Sequence, residues 1–334
     1  MKLYIKEYFE NLFNIIRFDR INLIATWSCD YRCKTCQAWK RNDHMMSREQ
    51  AEQIINFPGF KKITQFDLEG GEATRWLLFD WFLIKLLNTH PKLKVGIPCN
   101  GLNTDHILKL FQNIKDNADY KRIQISISLN GIGKTHDKIR GVKGGFDKTM
   151  NTLVGLKEMN YNPSINFLPI AENFDELELI KNMPYPLTLV VPSGSGKFES
   201  EEDWADYNFP EYLNAVRDHH KTLKGGWKWA LQYFVDHIEK RKIMSCYGAR
   251  SFIAIYPKGD IRTCIFREDK DALIGQVYDN RIDIYKDKIK QLTKEIKCGK
   301  CMYPNGHLVC GGQWIPQSIR RNIIELIRWK IGLS

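Results

Sequence analysis

Residues 26–36 read TWSCDYRCKTC and bring three cysteines, Cys29, Cys33 and Cys36, onto one short stretch. The residues just before it are apolar and have the composition of a β-strand, so the thiols are expected on a loop at the end of a strand. Three thiolates can hold three corners of an iron–sulfur cube and leave the fourth iron open, whereas a ferredoxin closes all four corners with cysteine. Zinc is the alternative, but a structural zinc normally has four protein ligands, and the nearest further Cys or His is His44. The stretch therefore favours a cluster with one iron left open for a ligand.

Strand and helix patterns alternate after residue 21, which predicts a parallel sheet. The predicted strands are Asn22–Thr26, Ile63–Leu68, Leu93–Pro98, Arg122–Leu129, Ser164–Leu168 and Leu187–Val191. The predicted helices are Ser47–Asn56, Leu77–Thr89, Asp105–Lys115, Phe146–Met159 and Asp175–Asn182. Ser47 followed by Gln50 predicts a capping box at the start of the first helix. Further on, the turn sequence Pro257–Asp260 separates two apolar runs and predicts a hairpin.

The spacing Cys-x3-Cys-x2-Cys resembles the signature of the radical S-adenosylmethionine (SAM) enzymes. In that family the three cysteines hold a 4Fe-4S cluster and the open iron binds SAM, which one electron from the cluster cleaves to a 5′-deoxyadenosyl radical that abstracts hydrogen. The second predicted strand is followed by Gly70, Gly71 and Glu72, and the resemblance makes this Gly-Gly-Glu the contact for the SAM amino group. Glycines allow the backbone to approach a ligand closely, and a carboxylate complements an ammonium. The sequence departs from the family pattern at Thr35, where the residue before the last cysteine is usually aromatic.

Three further residues become SAM-binding candidates through the resemblance. Ser128 and Asn130 end the fourth predicted strand, where the family often places a small polar residue against the SAM ribose or carboxylate; the alternative is that such residues fill the barrel interior. Arg140 lies in a segment similar to one in the peptide-modifying and dehydrogenase branches, where an arginine pairs with the SAM carboxylate; the alternative is a surface arginine.

Cys99, after the third predicted strand, is interpreted as a small buried filler, with a substrate-facing thiol as the alternative.

The resemblance covers nearly all of residues 20–312 and implies an α/β fold, a partial (β/α)6 TIM-like barrel plus a small C-terminal α+β iron–sulfur domain. In such barrels the chemistry lies at the carboxyl ends of the strands, and the cysteine stretch follows the first strand as that rule requires. The expected division is an N-terminal amphipathic helix (1–20), the core barrel (21–195), a helical bridge (196–245), an auxiliary-cluster domain (246–315) and a C-terminal amphipathic helix (316–334).

A second set of cysteines lies in the C-terminal part of the chain. The spacing from Cys246 to Cys264 resembles the opening half of the SPASM extension of radical SAM enzymes, but Cys310 comes too late for its closing half. The resemblance is therefore to the shortened form, the twitch domain, which carries a single auxiliary 4Fe-4S cluster. The expected ligands of that cluster are Cys246, Cys264, Cys298 and Cys301. Cys310 is either a further ligand or an unbound thiol beside it, and a zinc ribbon is the alternative for the whole set.

The 334-residue sequence carries a formal net charge of +11, which favours acidic partners. Its basic residues are spread along the chain rather than clustered with aromatic residues, which disfavours nucleic acid. No apolar run reaches the ~18–20 residues of a spanning helix, and the N-terminus does not resemble a signal peptide. We therefore expect a cytoplasmic protein whose cysteines bind metal. The two terminal amphipathic helices either pack on protein or give peripheral contact with an anionic membrane, in which case the substrate is a lipid or a lipid-linked sugar.

The expected function is a radical SAM enzyme whose auxiliary cluster either accepts an electron from the substrate radical or binds the substrate through an open iron. A reduced flavodoxin or ferredoxin-type protein is the expected electron donor. The substrate is a peptide, a sugar, a lipid or another small molecule, and a peptide is disfavoured because no added peptide-binding domain is evident before the barrel. We identify no general base. The alternative is a non-enzymatic iron–sulfur or zinc protein for electron transfer or scaffolding, which has no use for Gly70–Glu72.

Overall fold

The computed structural model of the chain describes residues 20–41, 44–57, 63–190, 252–264 and 272–277, together with Asn214. Six strands alternate with helices in the first part. The strands are β1 (Arg20–Ile24), β2 (Gln65–Glu69), β3 (Lys94–Cys99), β4 (Ile123–Ser128), β5 (Ser164–Phe167) and β6 (Leu187–Leu189). The helices are α1 (Arg48–Ile55), α2 (Phe79–Thr89), α3 (Thr104–Asn117), α4 (Lys134–Arg140), α5 (Gly145–Glu158) and α6 (Leu177–Lys181). The predicted alternation of strand and helix is confirmed.

The six strands stand in the sheet in their sequence order, and every neighbouring pair is parallel. A parallel neighbour requires a crossover, and the helices supply it. All carboxyl ends therefore lie at one edge of the sheet, where the loops after β1 to β4 meet. This is the six-unit α/β arrangement that the sequence predicts.

Three more strands extend the sheet beyond β1. They are β7 (Phe252–Ile255), β8 (Asp260–Arg262) and β9 (Leu273–Gln276). The predicted hairpin is confirmed, because β7 and β8 are antiparallel and Gly259 in their turn has a φ of 87°. Strand β7 pairs in parallel with β1, so this hairpin continues the sheet of the barrel. The domain boundary near residue 246 stays a prediction.

The element boundaries differ from the predicted ones by a few residues, and one helix was not predicted. The capping box at α1 is confirmed, because Ser47 N donates to Gln50 Oε1 at 2.9 Å and Gln50 N donates to Ser47 Oγ at 3.3 Å. The unpredicted helix, α4, is short and lies between Gly133 and Gly141, so it has too few turns to show a periodic pattern.

The hydrophobic core lies between one face of the sheet and the helices. Strand residues in this core include Ile21, Leu23, Phe66, Leu68, Val95, Ile97, Ile125 and Ile127. Helix residues that pack with them include Phe82, Leu86, Phe111, Ile114, Leu153 and Leu156. Cys99 belongs to the same core and is 1% exposed, which agrees with its interpretation as a small filler.

Several predicted features lie outside the described residues. They are the N-terminal helix up to residue 19, the bridge apart from Asn214, the C-terminal helix, and Cys246, Cys298, Cys301 and Cys310. Within the ranges that the structure describes, no helix is both long and apolar enough to cross a bilayer.

Candidate active site

The cysteine loop leaves the carboxyl end of β1, as predicted. Cys33 is 7% exposed, whereas Cys29 and Cys36 are half-buried. In the part of the chain that the structure describes, no three His, Cys, Asp or Glu side chains are grouped closely enough to hold one metal ion. Three cysteines on one short loop are the residue type that holds the corners of an iron–sulfur cluster, so the chemistry of the loop fits a cluster.

The loop Gly70–Glu72 follows β2 and docks on the cysteine loop through its backbone. Gly71 N donates to Thr26 O at 2.8 Å, and Glu72 N donates to Ser28 O at 2.7 Å. A Cβ on Gly71 would lie 2.3 Å from Trp27 O, so no other residue fits there without moving the cysteine loop. The glycines therefore allow the backbone of this loop to approach the cysteine loop closely. Their contact with SAM stays a prediction.

Glu72 is buried beneath this junction, with 3% of its surface exposed. Its Oε1 accepts from Thr74 N at 3.1 Å and from Thr74 Oγ1 at 2.7 Å, and its Oε2 accepts from Asn100 N at 2.7 Å. Burial raises the pKa of Glu72, and the hydrogen bonds from Thr74 and Asn100 oppose that rise. Thr74, Asn100 and the thiol of Cys99 therefore hold this carboxylate in place, and its contact with the SAM ammonium stays a prediction.

Asn100 is a site residue that the sequence reasoning missed. It follows β3 and is 4% exposed, with its Nδ2 at 2.6 Å from Asp30 Oδ1 and 3.9 Å from Cys29 Sγ. The available signal was its position after a strand, the same rule that located the cysteine loop and Gly70–Glu72. At the end of β3 the more conspicuous residue is the neighbouring Cys99, which lies in the core.

The unpredicted helix α4 ends against the cysteine loop. Arg32 N donates to Arg140 O at 3.0 Å, and Lys34 N donates to Ile139 O at 3.1 Å. The last carbonyls of a helix have no partner inside it, and here the loop between the cysteines provides the donors. Gly141, with a φ of 74°, ends α4 where a Cβ would lie 2.5 Å from Arg32 O.

Arg140 lies beside the three thiols rather than on the open surface. Its guanidinium carbon is 4.5 Å from the centroid of the Tyr31 ring, and its buried Nε has no hydrogen-bond partner among the described residues. Burial raises the pKa of Cys29 to about 12 and of Cys33 to about 11, and the charge of Arg140 opposes both rises. An unpartnered buried donor beside three thiols fits an anionic group, either a cluster with its thiolates or a carboxylate.

A buried network anchors Tyr31, which lies between the first two cysteines, to the end of β4. Asn130 N donates to His136 Nδ1 at 3.2 Å, so Nε2 carries the proton and donates to the Tyr31 hydroxyl at 3.2 Å. The Tyr31 hydroxyl also donates to Gly145 O at 3.1 Å and lies 2.9 Å from Thr149 Oγ1. This network holds the cysteine loop against α4 and α5.

The structure places Ser128 and Asn130 at the carboxyl end of β4. Ser128 is half-buried, on the strand face opposite the core, and stands in register with Asn166 of β5. Asn130 is 3% exposed, and Asn173 Nδ2 donates to its carbonyl at 3.1 Å. Both residues therefore lie at the edge of the sheet where the cysteine loop lies, and their contact with SAM stays a prediction.

Cys264 is the one described cysteine of the auxiliary set. It is half-buried and follows β8.

The folded chain is expected to lose stability as the pH falls below about 6.5, because His136 resists protonation. Burial, and then the charge of Arg140, lower the pKa of His136 to about 3, although Asp137 acts in the opposite direction. Between about pH 6.5 and 3 the unfolded state binds a proton that the folded state does not, so the free energy of unfolding falls as the pH falls. The loss amounts to roughly 2 kcal/mol by pH 5. Urea unfolding at about pH 7 and 5 measures this loss. The variant His136→Gln should show a smaller loss over the same range, and an equal loss in both proteins would contradict the assignment.

Known proteins resemble this chain in sequence and in fold. No protein-family model matches the chain. The sporulation killing factor maturation protein SkfB of Bacillus subtilis (strain 168) is 30% identical over 159 residues, which cover 46% of this chain and only 37% of SkfB. The AdoMet-dependent heme synthase of Methanosarcina barkeri (strain Fusaro / DSM 804) is 29% identical over 325 residues, covering 86% of this chain and 88% of that protein. The structure of Streptococcus suis SuiB bound to S-adenosylmethionine shares the fold, with a TM-score of 0.62 and 17% identity over 89% of this chain and 75% of SuiB.

The chain is similar in sequence to these SAM-dependent proteins and in fold to solved radical SAM enzymes, and this similarity agrees with the resemblance to radical SAM enzymes with a SPASM- or twitch-type extension that its sequence predicts. Its partial barrel is the fold of that family. Members of the family bind a 4Fe-4S cluster and SAM. The three-thiol loop, the buried guanidinium of Arg140 and the carboxylate of Glu72 fit that pair of cofactors.

Proposed function

We propose that the chain cleaves SAM reductively at a 4Fe-4S cluster held by Cys29, Cys33 and Cys36. Bound there, the cluster and SAM supply a 5′-deoxyadenosyl radical, which abstracts a hydrogen atom from the substrate. The observation that carries this proposal is the direct docking of Gly70–Glu72 on the cysteine loop, because it brings the Glu72 carboxylate close to Cys29.

The described residues divide the work of binding and positioning. The three thiolates hold the cluster, and the guanidinium of Arg140 compensates negative charge beside them. Glu72 is oriented by Thr74 and Asn100 so that it can accept from the SAM ammonium. Ser128 and Asn130 lie at the same edge of the sheet and are proposed to meet the remaining polar groups of SAM.

A second cluster completes the proposal and is assigned to four cysteines, of which Cys264 lies among the described residues. Its role is to accept the electron that an oxidised substrate gives up, or to bind the substrate. The proposed electron donor is a reduced flavodoxin or ferredoxin-type protein, and the charge of +11 favours such acidic partners. The protein is proposed to work in the cytoplasm.

The names of similar proteins support more than one class of substrate. SuiB, which shares the fold, has been solved bound to the precursor peptide SuiA. The relatives with the longest matches are heme synthases, and a GTP 3′,8-cyclase matches the chain over 46% of its length. The proposal therefore commits to the cleavage of SAM and leaves a peptide, a sugar, a lipid and another small molecule as candidate substrates.

Anaerobic reconstitution with iron, sulfide, SAM and dithionite tests the proposal without a substrate. We expect about eight irons per chain, four for each cluster, and the release of 5′-deoxyadenosine and methionine. Omitting the reductant is the control and should stop the release of both products. A chain that takes up only zinc and releases no deoxyadenosine would rule the proposal out in favour of a zinc-binding scaffold.

A further inference from the structure

The side-chain amide of Asn100 points at the sulfur of Cys29 in a single orientation. Its Oδ1 accepts from Leu102 N at 2.9 Å, which turns Nδ2 toward the cysteine loop. There Nδ2 lies 2.6 Å from Asp30 Oδ1 and 3.9 Å from Cys29 Sγ. A carboxamide has two N–H protons, so it can donate to the carboxylate and to the sulfur at once.

The backbone of Asn100 is held as firmly as its side chain. Asn100 N donates to Glu72 Oε2 at 2.7 Å, and Asn100 O accepts from Thr149 Oγ1 at 3.2 Å. Thr149 in turn contacts the hydroxyl of Tyr31 on the cysteine loop. One residue therefore connects the cysteine loop, the Gly70–Glu72 loop and α5, so its amide cannot turn away from Cys29 without breaking several hydrogen bonds.

Such a contact changes the chemistry of the sulfur that it meets. Hydrogen bonds to cluster sulfurs help to set the reduction potential, because a donor stabilises the negative charge that reduction adds. Asn100 places a neutral N–H donor 3.9 Å from Cys29 Sγ, so it can act on a cluster that this sulfur holds.

We propose that Asn100 is a positioning residue that raises the reduction potential of the SAM-binding cluster through its N–H contact with Cys29. This inference rests on the proposed function, because it requires a cluster on the cysteine loop. Asn100 then has two effects. It holds the cysteine loop in place, and it makes the cluster easier for the electron-donor protein to reduce.

The variant Asn100→Leu tests the proposal, because leucine has nearly the same volume and no donor. After anaerobic reconstitution, an EPR-monitored redox titration follows the cluster whose signal changes when SAM is added. We expect the ratio of reduced to oxidised cluster at the wild-type midpoint to fall about tenfold, which is ~59 mV for a one-electron couple. The variant Asn100→Ala is also neutral and lacks the donor, and its smaller side chain fits the site, so it should shift in the same direction even if the leucine variant folds poorly.

The matched control is Thr152→Val, which removes a hydrogen bond to Gly101 O, next to Asn100, and leaves the amide and the cysteine loop untouched. It should lower the thermal midpoint without shifting the potential. An unchanged potential in both Asn100 variants, alongside normal deoxyadenosine release by the wild type, would overturn the inference and leave the proposed function standing. A wild type that releases no deoxyadenosine would instead overturn the proposed function.

Discussion

Replacing Cys29, Cys33 and Cys36 together by alanine is expected to abolish the release of 5′-deoxyadenosine. The three residues are the only described cysteines on the loop after β1, so no neighbouring thiol of that loop can replace them. Iron bound after reconstitution should fall from about eight to about four per chain, because the auxiliary cysteines remain. Iron analysis and chromatography of the SAM products measure the two effects separately.

The matched control for this variant is Cys99→Ala. Cys99 lies at the end of a neighbouring strand, but its thiol is buried in the core and its pKa is raised, first by burial and then by Glu72. We expect this variant to keep its full iron content. If it lost four irons, or if the triple variant kept eight, the assignment of the ligands to the cysteine loop would be wrong.

The substitution Gly71→Ala is expected to separate the two loops that form the site. The added Cβ would lie 2.3 Å from Trp27 O and 2.5 Å from Ser28 O, and both are backbone atoms that no side-chain rotation can move. We expect a loss of about 3 kcal/mol in the free energy of unfolding, at the upper end of overpacking costs. Iron uptake by the cysteine loop should fall with it, since Glu72 N would leave Ser28 O. Urea unfolding and iron analysis provide the two measurements.

Gly133→Ala separates this clash from the ordinary cost of replacing a glycine. Gly133 has a φ of 52° and a ψ of −118°, and a Cβ there meets no atom of the described residues within 4 Å. The expected cost is therefore only the backbone strain of about 1–3 kcal/mol, with iron uptake retained. Similar iron uptake in the two variants would show that the close approach at Gly71 does not matter for the cluster.

Local patterns in the sequence were sufficient for the repeating part of the fold. Apolar alternation located the six strands, and the capping box at Ser47 located the start of α1. Helix α4 escaped prediction because its stability comes from its contacts: its carbonyls accept from Arg32 and Lys34, which are far away in sequence. A short helix with such tertiary support leaves little periodic signal.

The candidate site was predicted in its residue types more fully than in its contacts. The cysteines, Glu72 and Arg140 were identified, and the structure brings the last two beside the cysteine loop. The docking of the glycines on Trp27 and the part played by Asn100 were not predicted, because both depend on the distance between separate loops. A single sequence carries no direct record of such distances.

The pairing of β7 with β1 has a consequence for the order in which the protein matures. Strand β1 leads directly into the cysteine loop. One edge of β1 pairs with β2, and the other edge is hydrogen-bonded only when β7 pairs with it, with Arg20 opposite Phe252. Contacts between residues so distant in sequence form late, because a long loop must close first. During synthesis on the ribosome, one edge of β1 therefore stays without its partner strand until most of the chain has been made, and β1 is the strand that precedes the cysteine loop. Metal delivery to that loop should therefore follow translation of the hairpin rather than accompany the emergence of the cysteines.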